Sequence, residues 1–201
     1  MGDRKGPIGV VLAGGSGRRI GGGKAVVELH GRPLVSYPVG VLQAALGRVA
    51  VVAKADTELP PLPGVEIWTE PEEPRHPLAG IVHALDGAQG RAVVVAAGDM
   101  PFLTEQLVRH VATAEAGGRP AVVPRAGGRM QPLLARYEPP ALPLLLSALS
   151  GPPRPLTEVV ERLEPRLLEA DGDAEAFFNV NLPEDLLTAT AMMDRTDPAS
   201  R

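Results

Sequence analysis

The chain has no cysteine, only two asparagines and no excess of positive charge. Without cysteine it can form no disulfide, thiolate metal site or cysteine nucleophile. The net charge of −4 gives no overall basic field for nucleic acid or an anionic membrane, so any anionic ligand must be held by a local cluster. No apolar run approaches the roughly 18 residues of a membrane span, and Met1 to Pro7 lacks the apolar core of a secretory signal. These absences together lead us to expect a soluble, cytoplasmic protein. Its 201 residues suffice for one domain with a full core, and a second independent domain would be cramped.

Four blocks have the character of buried parallel strands: Ile8 to Ala13, Val49 to Ala53, Val65 to Thr69 and Ala92 to Ala97. Each is a nearly continuous apolar, β-branched run rather than an alternating one, as expected when both faces are covered. Helical spacing lies between them. Leu34 to Leu46 places Val35, Val39, Leu42 and Leu46 three and four apart, with Pro38 in the first turn, and Ala79 to Leu85 gives a shorter pattern. Alternation of strand and helix predicts a three-layer α/β fold. Thr104 is placed to cap a helix reaching about Ala116, with Gly117-Gly118 as its stop.

Ala121 to Pro124 and Pro132 to Tyr137 flank a basic tip and predict a hairpin, and Leu142 to Leu149 and Leu156 to Leu163 read as helices. Ala176 to Val180 reads as a last strand, followed by a helix with Pro183 at its first position and two acids behind it. Residues 1–7 are expected to form a flexible N-terminus, 8–190 a single domain and 191–201 a disordered tail.

The first strand runs into a loop, Gly14 to Lys24, in which six of eleven positions are glycine and which carries Arg18, Arg19 and Lys24. Glycine allows the close backbone approach that turns successive N–H groups toward one oxyanion, so the loop reads as a phosphate cradle or, more plainly, as a flexible basic surface loop. It is not a Walker loop: counting back from Gly23-Lys24 reaches Arg18, and Ala25 supplies no hydroxyl. Nor is it a dinucleotide fingerprint, because Gly15, Gly17 and Gly21 are one residue too widely spaced.

Asp99 directly follows the fourth strand block and is a hard oxygen ligand suited to Mg²⁺ beside phosphates, or else a cap for the next helix. Asn179 and Asn181, the chain's two asparagines, sit two apart in an apolar run, which suits a metal or phosphate contact or, for Asn181, a helix cap. Glu70 ends the third block, where it could bond a base or ribose or stand as a solvated charge. The four histidines share no ligand spacing, and no serine lies in a nucleophile elbow.

Leu12 to Lys24, Gly31-Arg-Pro-Leu34, Pro77-Leu-Ala-Gly-Ile81, Gly98-Asp-Met-Pro-Phe102 and Phe177 to Leu186 occur in an order that resembles the molybdenum cofactor guanylyltransferases. The resemblance spans roughly residues 8–188. It implies a Rossmann-like nucleotidyltransferase fold with a mostly parallel central sheet and a small antiparallel piece. It also implies transfer of GMP from GTP to the terminal phosphate of molybdopterin, with Mg²⁺ as cofactor.

Carried over by motif, Leu12, Ala13, Gly14, Gly15, Lys24, Glu70 and Asp99 would hold the nucleotide, and Asp99 the metal. Arg18, Lys24, Asp99 and Asn181 would serve catalysis, while Arg154 and Asn179 would contact the acceptor. Cofactor-insertion proteins or molybdoenzymes are the implied protein partners. Departures from the family pattern are Gly23 before the lysine, Ile20 for methionine, Leu182 for threonine, and Glu70 where an aspartate is usual. The same chemistry with CTP or another phosphorylated acceptor, and a non-catalytic nucleotide-binding adaptor, remain as alternative readings.

Overall fold

The computed structural model describes residues 6–14 and 24–196, with Lys24 and Thr196 described by their backbone alone. Gly15, Arg18 and the rest of the glycine loop lie outside the described residues.

Strand β1 (Ile8–Leu12) lies at the centre of the main sheet, paired in parallel with β4 (Val49–Lys54) on one side and β6 (Val93–Ala97) on the other. Its uninterrupted apolar sequence is buried on both faces, as a central parallel strand requires. Beyond β4 lies β5 (Glu66–Glu70), also parallel. Beyond β6 come β9 (Leu134–Tyr137), β7 (Ala121–Ala126) and β10 (Arg166–Glu169), giving the order β10-β7-β9-β6-β1-β4-β5. In that row β9 runs antiparallel to both of its neighbours, and the short β8 (Arg129–Met130) folds back on β7 through Gly127 and Gly128, both at positive φ.

Helices α1 (Ser36–Ala45) and α3 (Glu105–Thr113) cover one face with Val39, Leu42, Leu107, Val108 and Val111. The other face is covered by α2 (Pro77–Gly87), α4 (Ala141–Leu149) and α5 (Leu156–Glu161) through Ile81, Leu85, Leu145 and Val160. A separate two-stranded antiparallel piece, β2 (Glu28–Leu29) and β3 (Arg32–Pro33), turns through His30 and Gly31 at positive φ. It packs with Val180 and the final helix, α6 (Pro183–Thr196), in a third small cluster. The expected α/β fold, with a mostly parallel sheet and a small antiparallel piece, is the observed one.

Four sequence expectations need correction. Ala176 to Val180 is not a strand: residues 171–177 form 3-10 turns and the chain then runs on without pairing into a ladder. Its apolar residues serve two cores, with Phe177 in the cluster that α1 and α3 cover and Val180 in the small one, so they do not share one sheet face. The strand β10 was not anticipated, because two leucines between charged residues give little periodic signal. Helix α6 continues through Thr196 instead of ending near 190, with Met193 packed on the small cluster; residues 197–201 lie outside the described residues. Gly6 belongs to the fold, since its carbonyl accepts from the Arg91 guanidinium.

Arg136 on β9 is buried and caps α3 from below. Its guanidinium donates to the carbonyls of Val111, Ala112 and Ala114 at 3.2, 2.5 and 2.7 Å and to Glu138 at 2.7 Å. At the other end of α3, Thr104 Oγ1 accepts from Leu107 N at 3.2 Å, as expected of an N-cap. Arg136→Met is predicted to cost about 3 kcal/mol, because it orphans several carbonyls and a glutamate, whereas Thr104→Ala should cost about 1 kcal/mol. Urea denaturation of both variants reads the difference directly, and equal losses would refute the capping role of Arg136.

Candidate active site

Parallel register brings the carboxyl ends of β1, β4, β5 and β6 to one edge of the sheet, where strand order reverses on either side of β1. That edge of an open α/β sheet is where ligands gather. A cavity of about 380 Å³ opens there. Leu12, Ala13 and Gly14 line it from β1, Ala97, Gly98 and Asp99 from β6, Lys54 and Glu70 from β4 and β5, and Arg75, His76 and Gly80 from the start of α2. Ala25, Pro77, Leu133 and Asn181 complete the wall.

The backbone at the centre of this wall is tightly tied. Gly98 N donates to Leu12 O at 3.0 Å, and Ala13 N to Val52 O at 2.9 Å. Asp99 follows Gly98 at once, with its Oδ1 buried, and its carbonyl accepts from Val180 N at 3.0 Å. That bond draws the segment carrying Asn181 against the strand end. Because Thr104 caps α3, Asp99 does not serve as that helix's cap. Asp185 fastens the start of α6 by accepting from the N–H groups of Asn181 and Leu182, both at 2.8 Å, while Asn181 lines the cavity.

The carboxylate of Glu70 is no solvated charge. Glu70 is 7% exposed and Lys54 3%, and the two are register partners at the last position of β5 and β4. Lys54 Nζ lies 3.4 Å from Glu70 Oε1 and donates to Pro71 O at 2.5 Å. Among the described residues Glu70 Oε2 has no hydrogen-bond partner. A Cβ on Gly14 would stand 2.6 Å from Oε1 and one on Gly80 3.7 Å from Oε2, so the carboxylate lies between two glycines of the cavity wall.

Helix α2 begins with Pro77 at its first position and His76 as its cap, with His76 Nδ1 accepting from Leu78 N at 3.1 Å. Arg75 is held at the rim by Asp56 and Glu72, each at 2.8 Å. Lys54 and Arg75 escaped the sequence reading as site residues. A lysine closing an otherwise apolar strand was a usable signal for Lys54, because it places a cation at the ligand edge of the sheet.

Leu12, Ala13, Gly14, Glu70, Asp99 and Asn181 thus share one cavity. Arg154 does not line it: this residue precedes α5 and pairs with Glu158 at 2.8 Å. Asn179 is also absent from the wall; its Nδ2 donates to Phe177 O at 3.2 Å and its Oδ1 is buried without a partner among the described residues. Gly15 and Arg18 lie outside the described residues, as does the side chain of Lys24.

A sheet of this order, with a glycine turn after β1 and a carboxylate after β6 facing one cleft, defines the nucleotidyltransferase class of α/β fold. The chain belongs to the MobA-like NTP transferase domain family, which matches residues 9–167. A Thermococcus kodakarensis protein named "Probable molybdenum cofactor guanylyltransferase" is 33% identical over 200 residues, covering 95% of this chain and 98% of the relative. The "Molybdenum cofactor guanylyltransferase" of Cereibacter sphaeroides is 32% identical over 192 residues, covering 92% and 96% respectively. Among solved structures, "Molybdopterin-guanine dinucleotide biosynthesis protein A" from Archaeoglobus fulgidus matches with a TM-score of 0.75 at 27% identity, covering 94% of this chain and 99% of that one.

Gly14→Ala tests how tightly the wall is built. The added methyl must displace the buried Glu70 carboxylate, and we expect a loss of about 1–3 kcal/mol in urea unfolding. An unchanged midpoint would mean that the wall yields without cost.

Proposed function

We propose that this protein transfers GMP from GTP to the terminal phosphate of molybdopterin, releasing pyrophosphate and forming the guanine dinucleotide form of the cofactor. The observation that carries this reading is the convergence of Leu12–Gly14, Asp99 and Asn181 on one cavity, in a chain similar over nearly its whole length to guanylyltransferases of that name. An acceptor phosphate oxygen attacks the α-phosphorus of GTP. The bond from that phosphorus to the bridging oxygen breaks, and its electron pair leaves with pyrophosphate.

Such a transfer needs positioning and charge neutralisation more than a nucleophilic side chain. In this reading the backbone at Ala13 and Gly14 holds the nucleotide, and Arg18 and Lys24 meet the phosphates. Asp99 would hold Mg²⁺, with Asn181 beside it. The donor set fits a hard cation poorly supplied by protein: among the described residues no three His, Asp or Glu side chains cluster. Asp99 would give such an ion a hard carboxylate oxygen. When bound, the ion supplies positive charge against the phosphate oxygens.

Among the described residues no helix is long and apolar enough to cross a membrane. A cytoplasmic site of action, with molybdoenzymes or cofactor-insertion proteins receiving the product, goes with this reading.

Mg²⁺ and GTP at about a hundred times its dissociation constant should stabilise the protein by roughly 2.7 kcal/mol, a rise of about 5–10 °C in melting temperature. A rise with CTP and none with GTP would transfer the reading to cytidylyl chemistry. Asp99→Ala should keep its fold and lose pyrophosphate release with GTP and molybdopterin. Near-normal Mg²⁺-dependent turnover in that variant would overturn the role given to Asp99.

A further inference from the structure

We propose that the outward face of α4 is the contact between two copies of this chain, packed antiparallel about a two-fold axis. The stretch from Pro139 to Pro153, which contains α4, carries no charged side chain. Ala141 and Leu145 turn inward and are fully buried in the core that α2 also covers. On the opposite side Pro143, Leu144, Leu146 and Ser147 are exposed, and Leu144 and Leu146 keep 49% and 44% of their surface in water. Other helices of the layers behave differently. Helix α3 presents Glu105 and Arg109 outward and α5 presents Glu161; α1 is uncharged, but its exposed positions are Gly40, Gln43 and Ala44, so it shows no large apolar side chain. A helix that is apolar on all sides belongs where both of its faces are covered.

The surroundings of this face fit a second copy. A two-fold contact requires a surface to match itself, and an uncharged face does so without repulsion in a molecule whose net charge of −4 opposes self-association elsewhere. The ends of the stretch are opposite in sign. Glu138 precedes it and Arg154 follows it, held by Arg136 at 2.7 Å and by Glu158 at 2.8 Å. In an antiparallel pair the acidic end of each copy meets the basic end of the other, and the two helix dipoles run in opposite directions. Pro143 and Ser147, four positions apart, lie along the middle of the exposed face, with Leu144 and Leu146 on its two flanks. Small side chains at the centre let two helices approach, and the leucines pack on either side of the contact. No residue from Pro139 to Pro153 lines the cavity, so neither copy's cavity wall is built from this face.

The test is sedimentation velocity of the full chain across the micromolar range, with Ser147→Glu and Ser147→Lys measured alone and mixed. The wild type should pass from one to two chain masses as concentration rises. Like charges brought together at the axis should weaken the self-association of each variant at least about a hundredfold. An equimolar mixture of the two variants should recover the two-chain species, since the carboxylate of one then faces the ammonium of the other; that recovery cannot come from misfolded chains.

A wild type that stays at one chain mass at every concentration would overturn the proposal and leave the face to a different protein. Variants that associate as the wild type does would place the contact elsewhere and overturn it as well. A mixture that fails to pair would overturn the two-fold arrangement centred on Ser147.

Discussion

The parallel pairing of β1 with strands on both sides is the constraint from which the rest of this molecule follows. Leu12 stands opposite Val52 on one side and Ala97 on the other, so all three strands release their chains at the same edge. There is almost no spare room where they do so: a Cβ on Gly98 would stand 3.1 Å from the Leu12 carbonyl. The turn after β1 and the turn after β6 are therefore forced together, and Asp99 is delivered to the same cavity wall as Ala13 and Gly14. The described wall of the cavity is a consequence of register.

Two buried charges show how differently one interior can treat ionic groups. Arg136 is satisfied, with three helix carbonyls and Glu138 around its guanidinium, and it joins β9 to α3. Taking a charge out of water is repaid there by local hydrogen bonds. Glu70 is not repaid to the same degree, since one of its oxygens has no partner among the described residues. It is also the one of the two that lines the cavity.

The sheet's centre was legible because burial on both faces leaves an unmistakable run of Val, Ile and Ala. The periphery was not. In β10 the sequence Arg-Leu-Leu-Glu is a strand chiefly because β7 lies alongside, with Arg125 and Glu169 paired across at 2.6 Å. Ala176 to Val180 looked like a strand since its apolar residues are consecutive, yet they are apolar for two separate cores. Within the site, Gly14, Asp99 and Asn181 could be found because turns, strand ends and rare residue types are visible in one dimension. Lys54 could not be recognised as half of a pair, because its partner is 16 positions away in the sequence and adjacent only through strand register. Both strands were also expected to stop one residue short of that pair.

The described wall of the cavity carries no hydroxyl or thiol side chain. Of the nitrogen nucleophiles there, His76 Nδ1 is engaged in starting α2 and Lys54 Nζ is anchored on Pro71 O, beside the carboxylates of Glu70 and Asp99. A covalent intermediate on serine, threonine or cysteine is therefore not available from these residues, and a single displacement at phosphorus is the chemistry the wall suits. Direct transfer makes demands of a different kind: two anionic reactants must be brought together against their own repulsion and held in line. The described wall sets Lys54 and Arg75 beside Glu70 and Asp99 at one strand edge of a protein whose net charge is −4.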